Sequence, residues 1–481
     1  MSKMQKNIII KSPFYIDFIK TRCYTYYIKM ITGDFMFTKK DIIRILLPLF
    51  AEQILAVTVG MLDTVMVSSA GEAAVSGVSL VDSINLLLNT VFTAMATGGA
   101  VVCSQFLGKK DETSARASAK QLVWCTTFIA IIIMAVALIF RTSLLKLIFG
   151  KIEKDVMFHA QRYFLFTSLS FPFMAIYGGC AAIFRSMGNS KISMYASIVM
   201  NVLNVIGNSI LIYLFHLGAA GAAIATLFAR IVGAVIMLYL IRNRNNVIYL
   251  ERLLSYKPDF TIIKRILGIG IPSGLENSMF QFGKLLTQSL ISTFGTAAIA
   301  ANSVAHTLST FEYAVGTAIS LTMITVVGQC IGAENKKEAK SYTLKLMGIE
   351  YAVMIGVVVI IGLSANIIIG FYNLSEEASK LGYTLIMLHG ILVATIWPVS
   401  FTLPNAFRAA SDVKYPMFIS VLSMWVFRVG FSYVFALSFD LGVLGVWLAM
   451  FTDWAFRAIL FLVHFLRGSW LKKYKPIQKA G

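Results

Sequence analysis

Two stretches of this chain repeat each other at one fixed offset, the one that carries position 52 onto position 276, and each places an acid inside an apolar run. Pro48-Leu-Phe-Ala-Glu52-Gln53 aligns with Pro272-Ser-Gly-Leu-Glu276-Asn277, Gly71-x-Ala73-Ala74 with Gly295-x-Ala297-Ala298, and Ser79 with Ser303. Thr93-Ala94 then aligns with Thr317-Ala318, and Gln105-x-x-Gly108 with Gln329-x-x-Gly332, all without a gap. A single match means little when so few positions agree; the unbroken series carries the inference of a duplication. A duplicated apolar chain with a buried carboxylate near the start of each half is built like a secondary transporter.

Of the 481 residues, 58% are apolar and 14% charged, and the mean hydropathy is +0.77, well outside the range of soluble domains. A membrane span needs about 20 apolar residues, and twelve such stretches can be drawn: 43–67, 78–104, 120–141, 158–184, 193–215 and 219–241, then 264–293, 300–330, 343–371, 381–407, 416–437 and 442–466. The expected fold class is an all-α polytopic membrane protein with twelve transmembrane helices in two pseudo-symmetric six-helix bundles. Six spans per half is an even number, so both halves insert in the same sense, related by an axis along the membrane normal.

The net charge of +19 sits in short loops between spans, which points to anionic lipid rather than to nucleic acid. Lysines and arginines gather after spans 2, 4, 6, 8 and 10, at Lys109/Lys110/Arg116, Arg185/Lys191, Arg242/Arg244/Arg252/Lys257, Lys336/Lys337/Lys340 and Arg408/Lys414. The loop after span 3, with Lys146, Lys151 and Lys154, breaks the pattern. The expectation is a multi-pass cytoplasmic (inner) membrane protein with both termini in the cytoplasm, the basic tail Lys472-Lys473-Tyr-Lys475 included. Its units are an N-terminal extension (1–37), an N-lobe (38–241), a linker (242–263), a C-lobe (264–466) and a basic tail (467–481). Residues 1–35 read as an extension or a mis-assigned start, because Met36-Phe-Thr-Lys-Lys-Asp begins just before the first span. Cys23, Cys103, Cys125, Cys180 and Cys330 are scattered and support neither a disulfide framework nor a zinc site.

Glu52 and Asp63 lie eleven residues apart in span 1, about three helical turns, so they share a stripe. An ionised carboxylate facing lipid costs about 2.5–3.5 kcal/mol, so the stripe faces a polar cavity or anchors an interhelical hydrogen bond. Asn201, Asn204 and Asn208 share a face of span 5, where amides coordinate a cation or hold helices together. Span 7 has Glu276, Lys284 and Thr287; Lys284 either pairs with a carboxylate across the cavity or reaches for an interface. Span 8 has His306, equivalent to Asp82 at the repeat offset, and Glu312. His306 is a candidate for a proton path or a packing residue. Glu276, Lys284, His306 and Glu312 are therefore the C-lobe substrate or cation candidates. Arg185 and Arg408, at equivalent ends of spans 4 and 10, are candidates to cap helix C-termini and tie a gate, together with Gln105 and Gln329. No metal-binding histidine pair, Gly-x-Ser-x-Gly or phosphate-cradling loop is present, which argues against an enzyme.

From Thr38 to Leu466 the chain resembles the multidrug and toxic compound extrusion (MATE) family, bacterial type, of the multidrug/oligosaccharidyl-lipid/polysaccharide flippase superfamily. The carriers are Leu47-Pro48 through Met61-Leu62-Asp63-Thr64-Val65-Met66-Val67, Gln105-Phe-Leu-Gly108-Lys and its copy Gln329-Cys-Ile-Gly332-Ala, and Arg185-Ser-Met-Gly188-Asn189. The resemblance implies two six-helix bundles around a central V-shaped cavity, and antiport of organic cations or drugs against Na+ or H+ by alternating access. It implies no cofactor beyond that coupling ion. Asp63 matches the first-span acid that family members use for coupling, and Asn204 and Asn208 match a pair lining the N-lobe cavity. A Na+ site at Asp63, Asn204 and Asn208 is a candidate. Some relatives carry an acid where Asn208 stands, which moves weight onto Asp63 with Glu52. Where many relatives place a glutamate after the span 7 proline this chain has Phe280, with Glu276 one turn nearer the proline. Expected partners are small organic cations or drugs and the bilayer, with no nucleic acid and a monomer sufficient for function. Competing readings are a flippase for lipid-linked sugars or a lipid precursor, which needs a markedly cationic cavity, and a membrane-embedded enzyme or sensor.

Overall fold

The computed structural model describes residues 36–150, 153–251, 257–372 and 374–474. The expectations for residues 1–35, and for Lys151, Arg252 and Lys475, lie outside the described residues.

Described elements are helical, most of them joined by short turns. The first half holds span 1 (Lys39–Ser68), span 2 (Glu72–Gly108), span 3 (Glu112–Ile139), span 4 (Lys154–Leu169 continued by Phe171–Ser186), span 5 (Ser190–Leu214) and span 6 (Gly218–Ile241). The second holds span 7 (Phe260–Ser292), span 8 (Thr296–Gly332), span 9 (Lys336–Phe371), span 10 (Glu376–Thr395, then Pro398–Thr402 and Pro404–Ala409), span 11 (Lys414–Ser438) and span 12 (Gly442–Arg467). Among the described residues ten helices are long and apolar enough to cross a membrane unaided, and the bent span 4 makes eleven. Span 7 has the length, at 33 residues, but Glu276, Asn277, Gln281, Lys284 and Gln288 interrupt its apolar run. Spans 2 and 8 have 37 residues each, about 55 Å at 1.5 Å per residue, so they outreach the roughly 30 Å hydrocarbon layer. A short helix, Arg141–Phe149, occupies the loop after span 3 that broke the charge pattern.

Local chemistry explains the boundaries. Thr38 and Asp41 form a reciprocal capping box at the start of span 1, the Asp41 carboxylate accepting from Thr38 N at 2.9 Å. Asp111 and Asn335, equivalent at the repeat offset, cap spans 3 and 9 by accepting from Ser114 N and Glu338 N. Span 4 bends by 44° at Ser170, just before Pro172, whose ring nitrogen cannot continue the helix hydrogen bonds. The duplication extends to backbone angles: Gly71 and Gly295 have φ 97° and 90°, and Lys110 and Glu334 have φ 61° and 59°.

Large apolar side chains face outward as well as inward. Leu363 and Phe371 are each 81% exposed, which suits hydrocarbon as the solvent and no aqueous surface. Span 2 packs against spans 7 and 8, and span 1 against span 8, so these helices join the two halves.

Candidate functional site

The halves meet at the end that carries Lys109, Lys110, Lys336 and Lys337, through a reciprocal contact. Gln105 Nε2 donates to Ala409 O at 2.7 Å and to Ser411 Oγ at 3.0 Å, while its Oε1 accepts from Arg265 at 2.6 Å. Gln329 Nε2 donates to Ser186 O at 2.7 Å, and Thr325 Oγ1 to Arg185 O at 3.1 Å. Each glutamine thus satisfies a carbonyl at the C-terminal end of the other half's broken helix, a group that has no partner within its own helix. Gly108 and Gly332 allow the approach: a Cβ on either would stand 1.9 Å from the carbonyl oxygen of Gln329 or Gln105. Beside this crossing, Phe37 N donates to the Tyr342 hydroxyl at 2.8 Å, and that hydroxyl donates to Phe37 O at 2.7 Å.

Deeper in the first half, Asn208 Nδ2 donates to Asp63 Oδ1 at 2.7 Å. With the Asn204 amide nitrogen turned toward the carboxylate, it donates to the same oxygen at 2.9 Å, and its Oδ1 accepts from Thr226 Oγ1 at 3.1 Å. Asn208 Oδ1 is buried without a partner. Spans 1, 5 and 6 therefore bring Asp63, Asn204, Asn208 and Thr226 to one point. Asn201 lies apart, donating to Ser197 Oγ at 3.4 Å. Glu52 does not join the cluster; it is buried near the crossing, accepting from Ser193 Oγ at 2.9 Å. The shared stripe of the two acids is real, but three turns separate their partners. Asp82, from span 2, accepts from the Tyr163 hydroxyl at 3.0 Å, and Arg230 donates to Ser170 Oγ at 2.6 Å at the span 4 bend.

The second half is built differently. Glu276 pairs with Arg408 at 2.7 Å, and Arg408 also donates to Asn405 Oδ1 at 2.8 Å, so the pair ties span 7 to the end of span 10. Arg185, the equivalent of Arg408, forms no such pair among the described residues; its carbonyl serves the crossing. Glu312 lies 2.7 Å from His389 Nδ1, whose Nε2 is 3.0 Å from the Tyr313 hydroxyl. Trp397 stacks on Tyr313 and Phe401 beside them. Asp453 pairs with Arg457 at 2.7 Å and with Arg428 at 3.6 Å, and both guanidinium groups lie over the Phe280 ring. His306 is exposed and Lys284 half-buried. Neither side chain makes a hydrogen bond or ion pair among the described residues, so the expected carboxylate partner of Lys284 is not found there.

Several of these groups escaped the sequence reading. Thr226 looks like any threonine in an apolar helix. His389 of span 10 lies two spans beyond Glu312, and Tyr163 of span 4 two spans beyond Asp82, so no local spacing flags either pair. Asp453 and Arg457 were legible at i, i+4 on one helix face.

The Glu276–Arg408 pair yields a stability prediction, since its side chains are only 9% and 12% exposed. Glu276→Met or Arg408→Met is expected to cost about 3–5 kcal/mol by leaving an unpaired buried charge, while the double variant Glu276→Met/Arg408→Met recovers much of it. Thermal unfolding in detergent checks this; strictly additive losses would refute the pairing.

The family model described as MatE matches residues 48–210 and 272–434, two copies set apart by the offset of the repeat. The chain is 27% identical over 449 residues to a "Probable multidrug resistance protein NorM" of Thermotoga maritima, covering 90% of this chain and 94% of that relative. It is 27% identical over 435 residues to an "Uncharacterized transporter YisQ" of Bacillus subtilis, covering 89% and 94%. A solved structure described as an outward-facing conformation of a multidrug resistance MATE family transporter superposes with a TM-score of 0.84 at 20% identity, covering 90% of this chain and 97% of that one. A transporter from Pyrococcus furiosus, described as having a binding pocket of reverse polarity, gives 0.83 at 21%, covering 90% and 96%. With a duplicated helical fold and both copies matched over more than half its length, this chain is a multi-pass membrane transporter that belongs to the MATE family.

Proposed function

We propose that the chain is a secondary antiporter that exports organic cations or drugs across the inner membrane in exchange for Na+ or H+, with both termini in the cytoplasm. The observation that carries the reading is Asp63, an acid in a membrane span held by two amides from span 5. The carboxylate can take a proton. Beside it, the unpartnered Asn208 Oδ1 and the Thr226 hydroxyl offer the oxygen ligands that a hard cation takes. Either ion neutralises Asp63, and that charge change supplies the differential affinity that shifts a two-state transporter. The closed crossing at the basic-loop end, which the positive-inside rule assigns to the cytoplasm, supports an outward-facing state. The multidrug names of the relatives support the substrate class, and no cofactor besides the coupling ion is required.

The test is dye efflux from proteoliposomes with Na+ and H+ gradients imposed separately. Movement of a permanently cationic dye under one gradient and not the other identifies the coupling ion. No movement of any amphiphile under either gradient, in folded and oriented protein, sinks the antiport reading.

A further inference from the structure

The second half of this protein carries more positive charge at one point than the described acids there answer. Three cations converge where spans 7, 11 and 12 meet: Lys284, Arg428 and Arg457. Arg428 lies over the ring of Phe280, which stands one helical turn before Lys284 in span 7. Arg428 and Arg457 share one acid, Asp453, whose carboxylate also accepts from Ser423 Oγ. The other acids of this half are taken elsewhere or stand apart: Glu276 is on Arg408, Glu312 on His389, and Glu350 accepts from Thr402 Oγ1 at 2.6 Å. Among the described residues that leaves Lys284 without a counter-charge and Arg428 with part of one. A cation inside a membrane bundle is costly unless a partner or water answers it, and such residues mark substrate pathways.

The duplication sharpens the contrast. In the gapless alignment Lys284 stands at the position of Gly60, Thr287 at that of Asp63, and His306 at that of Asp82. Asp63 and Asp82 of the first half thus stand opposite a neutral and a basic group in the second, and a lysine is added one turn from Thr287. The two lobes descend from one repeat but differ in charge at these aligned positions. Phe280 adds an aromatic face at the same point, T-shaped against Phe401.

We propose that the second half seats an anionic group, a carboxylate or phosphate, on an amphiphilic ligand, with Lys284 as its counter-ion and Arg428 as a second donor. The ligand's cationic end is left for the acidic first half, so the preferred substrates are zwitterions. This deepens the antiport reading by naming a substrate class and rests on it for the word substrate; the seat itself does not.

The experiment compares rhodamine B, which has a free carboxylate, with its ethyl ester, a permanent cation of nearly the same shape. Binding of each to the full chain in phosphatidylcholine nanodiscs is followed by fluorescence anisotropy, and ion-driven uptake is measured in parallel vesicles. Wild type is expected to bind the acid about ten- to hundredfold more tightly than the ester, the range of one charge-assisted contact in a dry site. Lys284→Met should abolish that preference while leaving ester binding in place, and Lys284→Arg should keep it. Equal binding of acid and ester by wild type overturns the proposal without any variant, and so does a Lys284→Met protein that keeps the preference. Replacing part of the phosphatidylcholine with phosphatidylglycerol locates the source of the anion. Displacement of the acid by the anionic lipid assigns the seat to a lipid headgroup; no displacement assigns it to the transported molecule. If acid-selective, Lys284-dependent binding persists but neither dye moves under either gradient, the seat stands and antiport falls. If both dyes move equally and Lys284→Met changes nothing, antiport stands and the seat falls.

Discussion

Asp63→Asn is expected to abolish ion-driven efflux, lowering it about a hundredfold or more to the rate of protein-free vesicles, while the protein still inserts and elutes as a monodisperse species. The substitution leaves the carbonyl oxygen that accepts from Asn208 at 2.7 Å and Asn204 at 2.9 Å, so local packing survives. What disappears is the group whose charge depends on the coupling ion. A site that binds its ion equally in both states shifts no equilibrium however well it binds, so substrate binding persists and coupling does not. Asn208→Asp tests the same geometry in reverse: a second acid within hydrogen-bond reach of the first forces the pair to share a proton or hold a cation. Wild-type efflux by the Asp63→Asn protein, measured with equal amounts in the membrane, would remove Asp63 from the mechanism.

The second large effect is expected at the crossing of spans 2 and 8. Gly108→Val places side-chain carbon where the Gln329 carbonyl oxygen now stands 1.9 Å from an ideal Cβ, and backbone cannot swing aside as a flexible side chain can. Overpacking of this kind costs about 3 kcal/mol or more, which moves a two-state population more than a hundredfold. Gly332→Val should do the same from the other half, because its Cβ meets Gln105 O at the same 1.9 Å. Spin labels at Lys110 and Lys336, both exposed at this end, should report longer distances in either variant, with transport lost. Gly178→Ala, in span 4 with nothing within 4 Å of its Cβ, is the matched control. Distances identical to wild type in Gly108→Val would show that the two helices do not meet there.

The sequence shows most of the architecture because the bilayer makes it nearly one-dimensional. With no water to satisfy backbone groups, an apolar run of sufficient length has to be a helix, and the placement of lysine and arginine gives only an expected orientation. The duplication is legible for the same reason, since Gln105/Gln329 and Gly108/Gly332 recur at one spacing. Asp63, Asn204 and Asn208 can be picked out because polar groups are conspicuous in apolar spans. Span 7 is the marginal case: polar residues interrupt its apolar run, yet the stretch drawn at 264–293 folds as the helix Phe260–Ser292.

What the residues do to one another had to come from the folded chain. Glu52 and Asp63 share a helical stripe, but only packing against span 5 shows one on Ser193 and the other on two amides. Glu276 reads as the twin of Glu52, yet Arg408 neutralises it, whereas Arg185 leaves Glu52 to a hydroxyl. Lys284 reads as either half of an ion pair or a side chain reaching for an interface, and the folded chain gives it no acid partner among the described residues. Helix, span and repeat follow from local chemistry and a periodic pattern, which a linear string carries. Charge compensation depends on which distant side chain arrives within about 3 Å, and in a low-dielectric interior that distance decides the sign and strength of a site.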